Sequence, residues 1–293
     1  MEGKKTIYYG ALYTTLGYFC LAVLSLFSKL MGSQISIFTI LLFQNGICLL
    51  LTLPQIFKEG ISHLKTHRIG THLVRDVAGV LSFLFLFFSL KHVPLITGTL
   101  LLNTAPLWLP LIAWLWLKVK IPGRLWWGLI IGFIGVGVIL KPGAAAFSLG
   151  SLAALFSGIL LGFALLVIHQ LRTTEPTNRI LFYYFLVGTV ISAPLALIEF
   201  IPPSFKDLLL LIGIGVFTYL AQLLVTYAFK FGKAEILAPL AYTVVIFSAL
   251  FDWIFWDNTP SFLTCFGALL IIIGAILSLH FESRRQKNLS KTL

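Results

Sequence analysis

Charge is what this chain has least of: Asp, Glu, Lys and Arg make up only 11% of its 293 residues, whereas hydrophobic residues make up 59%. With a mean hydropathy of +0.99, the chain has too little polar surface to cover a water-soluble globule of 32.6 kDa. The composition therefore excludes a water-soluble fold and makes lipid the main solvent.

Residues for disulfide or metal chemistry are also scarce. The chain has three cysteines, all within apolar segments and without a CxxC pair: Cys20, Cys48 and Cys265. We interpret them as packing residues. His63, His67 and His72 lie near one another but lack a carboxylate or thiolate partner at fixed spacing, so we expect a solvated basic loop there. The sequence predicts no metal and no other cofactor.

What the chain does have is a series of long apolar segments. A helix needs about 20 apolar residues to cross a hydrocarbon core of about 30 Å. Ten segments fit, at approximately 7–28, 35–57, 73–90, 95–117, 125–141, 148–170, 180–201, 207–229, 235–256 and 261–281. The predicted fold class is an all-α membrane protein with ten transmembrane helices.

The basic residues are distributed unevenly between the predicted loops. With both termini in the cytoplasm, 17 of the 21 Lys and Arg residues face inward. The outer side keeps only Lys29, Lys91, Lys141 and Lys206. This asymmetry follows the positive-inside rule and predicts a multi-pass protein of the cytoplasmic (inner) membrane, N-in and C-in. The net charge of +11 then reflects topology and attraction to lipid headgroups, and requires no nucleic-acid partner.

The second half of the chain resembles the first at an offset of 139 residues. The shift aligns Lys91 with Lys230, Thr104 with Thr243, Trp114 with Trp253, Gly128 with Gly267 and Gly135 with Gly274. We predict two five-helix repeats, residues 1–146 and 147–293. Because five is odd, the second copy enters the membrane from the opposite side. Inverted repeats of this kind are a signature of secondary transporters.

Longer motifs support this interpretation. The first half carries Arg75 at the start of span three, SLKHVPLITGTLLLNTAPLWLPLIAWLWLKVKI over residues 89–121 and GFIGVGVILKP over 132–142. The second half carries YAFKFGKAEILAPLAYTVVIFSALFDWIFWDNTP and GALLIIIGAI. Over almost its whole length the chain resembles the EamA-type ten-helix members of the drug/metabolite transporter superfamily.

One position departs from that family's pattern. Members often carry an acidic residue at the end of span four, where this chain has Val119, whereas the matching end of span nine has Asp257 and Asn258. The resemblance implies transport of amino acids, their derivatives, nucleotide-like metabolites or drugs, with exporters common and uptake carriers known.

Uncharged polar and aromatic residues at mid-membrane depth are the candidate substrate-binding residues. They are Tyr18, Asn103, Trp108, Tyr219, Gln222 and Tyr242, from spans one, four, eight and nine. Polar side chains at that depth face other helices or a water-filled cavity. They are therefore either the lining of a substrate cavity or interhelical hydrogen bonds, and we favour the cavity.

Few carboxylates are expected within the membrane slab. Asp76, Glu235 and Asp252 are the only candidates, and each lies near a span end. A proton-relay carboxylate is expected near the midplane, so the sequence favours uniport or exchange over proton coupling. We expect Arg75 to pair with Asp76, Glu235 or lipid phosphate rather than with substrate.

The leading functional hypothesis is a secondary transporter that moves a small neutral, zwitterionic or cationic metabolite by alternating access, by export or exchange. An alternative is an uptake carrier of the S-adenosylmethionine type, which the segment APLAYTVV of span nine resembles. An intramembrane enzyme is a remote alternative, since the chain has no HExxH, GxGD or GxSxG motif. A channel lacks any apparent charged ring or filter sequence. The expected partners are the substrate and membrane lipids.

Cysteine labelling tests the predicted orientation. Cysteines introduced into the loop at residues 58–70 and into the tail after Glu282 should react with a membrane-impermeant reagent from the cytoplasmic side, because both segments carry inward-facing basic residues. Reaction only from outside would overturn the orientation.

Overall fold

The structure is a computed structural model that describes residues 2–32, 34–60, 64–118, 121, 123–140, 148–231 and 237–292. These residues form helices and connecting turns, with no strand among them. The α-helices are α1 Glu2–Leu30, α2 Ile37–Glu59, α3 Ile69–Leu90, α4 Leu95–Leu102, α5 Ala105–Leu117, α6 Gly123–Leu140, α7 Leu149–Leu171, α8 Thr177–Ile198, α9 Phe205–Phe231, α10 Thr243–Trp256 and α11 Phe262–Thr292. A 3₁₀ helix, Ala238–Tyr242, precedes α10.

The helices have the lengths that a bilayer requires. Nine segments of the described chain are long and apolar enough to cross a membrane, and a tenth apolar helix, Phe262–Ser278, is shorter. A helix pairs its backbone N–H and C=O groups internally, whereas the surrounding hydrocarbon offers them no hydrogen-bond partner. The structure thus confirms the all-α membrane fold, while the position of the termini stays a prediction. Span three begins at Ile69, earlier than the expected residue 73.

Spans four and nine are not continuous α-helices. A turn at Asn103 and Thr104 separates α4 from α5, and the 3₁₀ helix interrupts span nine at the matching position. Pro106 has no N–H to donate to the carbonyl of Leu102, so the α-helical ladder cannot run through this turn. The backbone tightens instead, and Thr104 N donates to Leu101 O over three residues at 3.2 Å.

A second pair of backbone features recurs at the same offset. Lys118, at the C-terminal end of α5, has a φ of 53°, and Asp257, at the end of α10, has a φ of 49°. Both residues therefore end their helices in the left-handed conformation. The matched breaks and matched ends agree with two related halves, and the inverted repeat remains our prediction.

Close helix pairs define the bundle. Helix α1 packs along α9, α3 along α7, α2 along α8, and α6 along α11. The α6–α11 pair meets through glycines: a Cβ at Gly135 would lie 2.7 Å from Gly267 O, and one at Gly128 would lie 2.9 Å from Gly274 O. These glycines therefore allow the backbones of the two helices to approach closely.

Replacing one of these glycines should separate the pair. In Gly135→Leu the new side chain meets Gly267 O and Ile271 N, both within 2.8 Å of its Cβ. Overpacking of this kind costs about 1–3 kcal/mol, so we expect a lower unfolding temperature in detergent. Gly137→Leu is the control, because a Cβ there meets nothing within 4 Å. Equal effects of the two substitutions would refute the glycine contact.

Candidate substrate cavity

The helix directions identify two ends of the bundle. Gly10, near the start of α1, packs on Ala228 near the end of α9, whereas Phe27 packs on Gly213 near the start of α9. The start of α1 and the end of α9 therefore lie at one end, which we call the inner end after the predicted topology. The opposite end is the outer end.

Two chambers lie between the helices. The inner chamber, of about 510 Å³, is bounded by the ends of α2 and α9 and the start of α8. The central chamber, of about 280 Å³, lies among α1, α3, α4, α5, α7, α9 and the start of span nine. Gln222 lines both chambers. One side chain therefore borders both spaces, of which the first lies toward the inner end and the second toward the middle of the bundle.

The described lining of both chambers carries no charged side chain. Its polar groups are hydroxyls and amides: Thr52, Gln55, Thr177, Asn178, Tyr219, Gln222, Thr226 and Tyr227 in the inner chamber, and Tyr18, Ser25, Thr99, Asn103 and Gln222 in the central one. The rest of the wall is mainly apolar. A wall of this kind can hydrogen-bond a solute but cannot neutralise a strong charge.

Three of the six predicted site residues meet in the central chamber: Tyr18, Asn103 and Gln222. Asn103 stands at the break in span four, where its Nδ2 donates to Thr99 O at 2.7 Å. That bond fixes the amide orientation and leaves Oδ1 as an acceptor. Within the described chain, the side chains of Tyr18 and Gln222 make no hydrogen bond, so the polar groups of both are unoccupied in the chamber wall.

The other three predicted residues lie elsewhere. Tyr219 lines the inner chamber. Tyr242 is buried, and its hydroxyl donates to Asn103 O at 3.3 Å, so it stabilises the break in span four from the neighbouring span nine. Trp108 lines neither chamber; its ring packs edge-on against Phe133 with centroids 4.8 Å apart, and its Nε1 donates to the Thr104 hydroxyl at 3.1 Å.

Sequence reasoning missed the polar residues of the inner chamber near the helix ends. Thr52 and Gln55 lie in the last turns of α2, and Thr177 and Asn178 open α8. Polar residues at span ends ordinarily face headgroups, and only the spacing of Thr52 and Gln55 on one helix face hints at a shared role.

A buried ion pair closes the outer end. Lys29 Nζ donates to Asp252 Oδ1 at 2.7 Å, and Ile96 N donates to Asp252 Oδ2 at 2.8 Å. The Asp252 carboxylate is fully buried, and the Lys29 ammonium lies 4.4 Å from the centre of the Trp256 ring. One carboxylate therefore joins the end of α1, the start of α4 and α10.

The loops at the inner end meet at Glu175. Its carboxylate accepts hydrogen bonds from Arg179 at 2.6 Å and from Thr66 at 2.8 Å. Burial opposes ionisation, but these two bonds and the charge of Arg179 outweigh it and hold the pKa of Glu175 below its usual value. His72 lies 3.7 Å from the same carboxylate.

The position of His72 corrects the interpretation of the histidines. His72 is fully buried inside α3 rather than in a solvated loop, because the helix begins at Ile69. His67 is in the loop, and His63 lies outside the described residues.

The model of the EamA-like transporter family matches the chain twice, at residues 8–141 and 148–280. The chain belongs to the EamA-like transporter family. This confirms the resemblance to the drug/metabolite transporters.

Relatives in this family are named as transporters. The pseudopaline exporter of Pseudomonas aeruginosa is 29% identical over 269 residues, which cover 91% of this chain and 94% of the relative. The riboflavin transporter of Vibrio cholerae is 29% identical, with coverages of 86% and 87%. The S-adenosylmethionine uptake transporter of Rickettsia felis is 26% identical, with coverages of 92% and 94%.

A crystal structure of another protein shares the fold. It superposes with a TM-score of 0.64 over 96% of this chain and 98% of that one, at 17% sequence identity, which bears on the fold alone. The family and its relatives make this EamA chain a multi-pass membrane transporter of a small metabolite and not an enzyme.

The ion pair at the outer end can be tested by a double substitution. Lys29→Met leaves the buried Asp252 carboxylate without its cation, which costs about 3–5 kcal/mol. Adding Asp252→Asn removes the unpaired charge, so the double variant should recover part of the lost thermal stability in detergent. Lys206→Met, at an exposed lysine of the same side, should leave the unfolding temperature unchanged. A double variant less stable than Lys29→Met would contradict the coupling.

Proposed function

We propose that this EamA transporter moves a small neutral, zwitterionic or cationic organic solute across the cytoplasmic membrane by alternating access, by export or exchange. The observation that carries the proposal is the pair of uncharged chambers, which have Gln222 as a common wall residue. An uptake carrier of the S-adenosylmethionine type is the second candidate, favoured by the relative from Rickettsia felis.

The two ends of the bundle support alternating access. The outer end is held together by the buried Asp252 carboxylate, whereas the inner chamber reaches the ends of α2 and α9. Under the predicted topology this arrangement faces the cytoplasm. Breaking the Lys29–Asp252 pair while closing α8 over the inner chamber would give the opposite state.

The chemistry of the central chamber defines the solute. Phe83, Leu86 and Leu161 supply apolar surface for a ring or aliphatic part. Tyr18, Asn103 and Gln222 supply hydrogen bonds for a polar end. A dianion would lose its hydration without meeting a cation on the wall, so the chamber disfavours it.

Two substitutions test the central chamber. Asn103→Leu and Gln222→Leu should each lower transport per folded molecule about tenfold, because a lost hydrogen bond to the solute leaves roughly 1.4 kcal/mol unrecovered. The measurement is counterflow of riboflavin and S-adenosylmethionine in proteoliposomes, beside the folded yield of each variant.

Gln44→Leu is the matched control. Gln44 is a buried glutamine of α2 that lines neither chamber, so its replacement should leave specific transport unchanged. If Asn103→Leu and Gln222→Leu lose folded protein but keep specific transport, these amides are structural and the cavity assignment is wrong.

A further inference from the structure

The carboxylate of Asp76 in α3 is fully buried, and only one of its two oxygens has a hydrogen-bond partner in the described chain. Its Oδ1 accepts a hydrogen bond from Arg75 Nη1 at 3.0 Å, while its Oδ2 has no hydrogen-bond partner in the described part of the chain. Asp252, the other fully buried carboxylate described, has both oxygens occupied. An unpaired carboxylate oxygen in an apolar interior is costly unless it has a use.

Arg75 is positioned by α8 as well as by Asp76. Its guanidinium lies 4.2 Å from the centre of the Tyr184 ring, and its Nε has no hydrogen-bond partner in the described chain. Gly79, one turn further along α3, admits that ring, since a Cβ there would lie 2.8 Å from Tyr184 Cε2. A movement of α8 would therefore remove the ring that packs against the cation beside Asp76.

The remaining surroundings of Asp76 hold little charge. Tyr184 faces it from α8, and Cys48 belongs to the same buried cluster from α2. His169 is the only ionisable residue in the second half of α7, and it is exposed. Helices α1 and α4 pack near the other end of α3, around Leu86 and Leu90.

On its own helix, Asp76 is preceded one turn earlier by His72, which approaches Glu175 and through it Arg179. Arg75 is therefore the one cation that contacts Asp76 within the described residues. The ionisation of Asp76 thus depends on whether Arg75 stays beside it.

The inner chamber lies on the other side of this cluster. Leu181 and Phe185 of α8, together with Tyr219 of α9, line that chamber and also pack with Tyr184 and Cys48. Leu181, Tyr184 and Phe185 are spaced i, i+3 and i+4, so neighbouring parts of one face of α8 border the inner chamber and contact Arg75. A motion of α8 that opens or closes the inner chamber therefore also changes the ring contact of Arg75.

We propose that Asp76 is a proton-binding site that couples transport to a proton gradient. When α8 withdraws Arg75, a proton from water binds the Asp76 carboxylate and forms the neutral acid; when Arg75 returns, the proton is released. No bond other than this O–H forms or breaks. The inference rests on the proposed transport function and adds a coupling ion to it.

The proposal departs from the expectation of uniport or exchange, because that expectation rests on a search for carboxylates at the membrane midplane, which this site escapes. Asp76 lies seven residues into α3, about 10 Å along the helix axis at 1.5 Å per residue. It is adjacent to Arg75 in sequence, which suggests a surface ion pair until the structure buries both side chains.

Infrared spectroscopy tests the site without a solute. The purified protein is titrated between pH 5 and 9, and the carbonyl-stretch band of protonated carboxyl groups is followed. We expect a titrating band in the wild type that is missing in Asp76→Asn and kept in Asp257→Asn, an exposed carboxylate in a described turn. A band that survives in Asp76→Asn overturns the proposal. If Asp76→Asn does not fold, Asp76→Glu must shift the band, and an unshifted band is equally fatal.

Transport measurements separate proton coupling from the movement of the solute itself. Proteoliposomes are loaded with S-adenosylmethionine or riboflavin, and counterflow is compared with accumulation driven by a gradient of one pH unit. With one proton per solute and the membrane potential held at zero, the gradient should change the accumulation ratio about tenfold in the wild type. Asp76→Asn should keep counterflow and lose the response to the gradient.

The outcomes distinguish the two proposals. Counterflow without any gradient response in the wild type overturns proton coupling and leaves the transport function intact. A gradient response that persists in Asp76→Asn also overturns the site. Absence of counterflow for both probes in the wild type counts against the proposed solutes, and the infrared titration then decides whether Asp76 binds a proton.

Discussion

Every other feature of this bundle depends on one constraint, that backbone N–H and C=O groups inside a bilayer must find partners within the protein. The constraint makes most spans continuous helices and restricts irregular backbone to sites that protein or a cavity covers. Both irregularities found here, at Asn103–Thr104 and Ala238–Tyr242, border the central chamber. The Tyr242 hydroxyl reaches Asn103 O, a carbonyl of the break itself.

The hydrocarbon of the bilayer also restricts where charged side chains can lie. Most basic residues are at span ends, and the two fully buried carboxylates among the described residues each have a cation within 3.0 Å. Their settings differ in a way that matters for motion. Asp252 has every oxygen engaged and joins three helices, which suits a fixed closure. Asp76 has one oxygen without a hydrogen-bond partner, and its cation packs against a ring of another helix, which suits a change of protonation state.

Local signals explain what the sequence could predict. Span lengths follow from hydropathy, a property of neighbouring residues, so the helices are largely where we expect them. The position of Tyr18, Asn103 and Gln222 on a chamber wall can be predicted, because a polar residue in mid-span needs a covered face. The sequence cannot show that Tyr242 and Trp108 lie outside the central chamber wall, because their partners, Asn103 O and Phe133, belong to other helices. His72 was misplaced because α3 extends through polar residues that hydropathy assigns to a loop.

The contacts also indicate which helices can move. Between α6 and α11 the glycines bring backbone atoms together, so a shift of either helix meets backbone directly. Helix α8 contacts α3 through the ring of Tyr184, which can slide over Gly79 without breaking a backbone contact. The pair α6–α11 is therefore suited to a static frame and α8 to a moving element. Since α8 borders the inner chamber and holds Arg75 beside Asp76, solute access and the charge of Asp76 change together in one displacement.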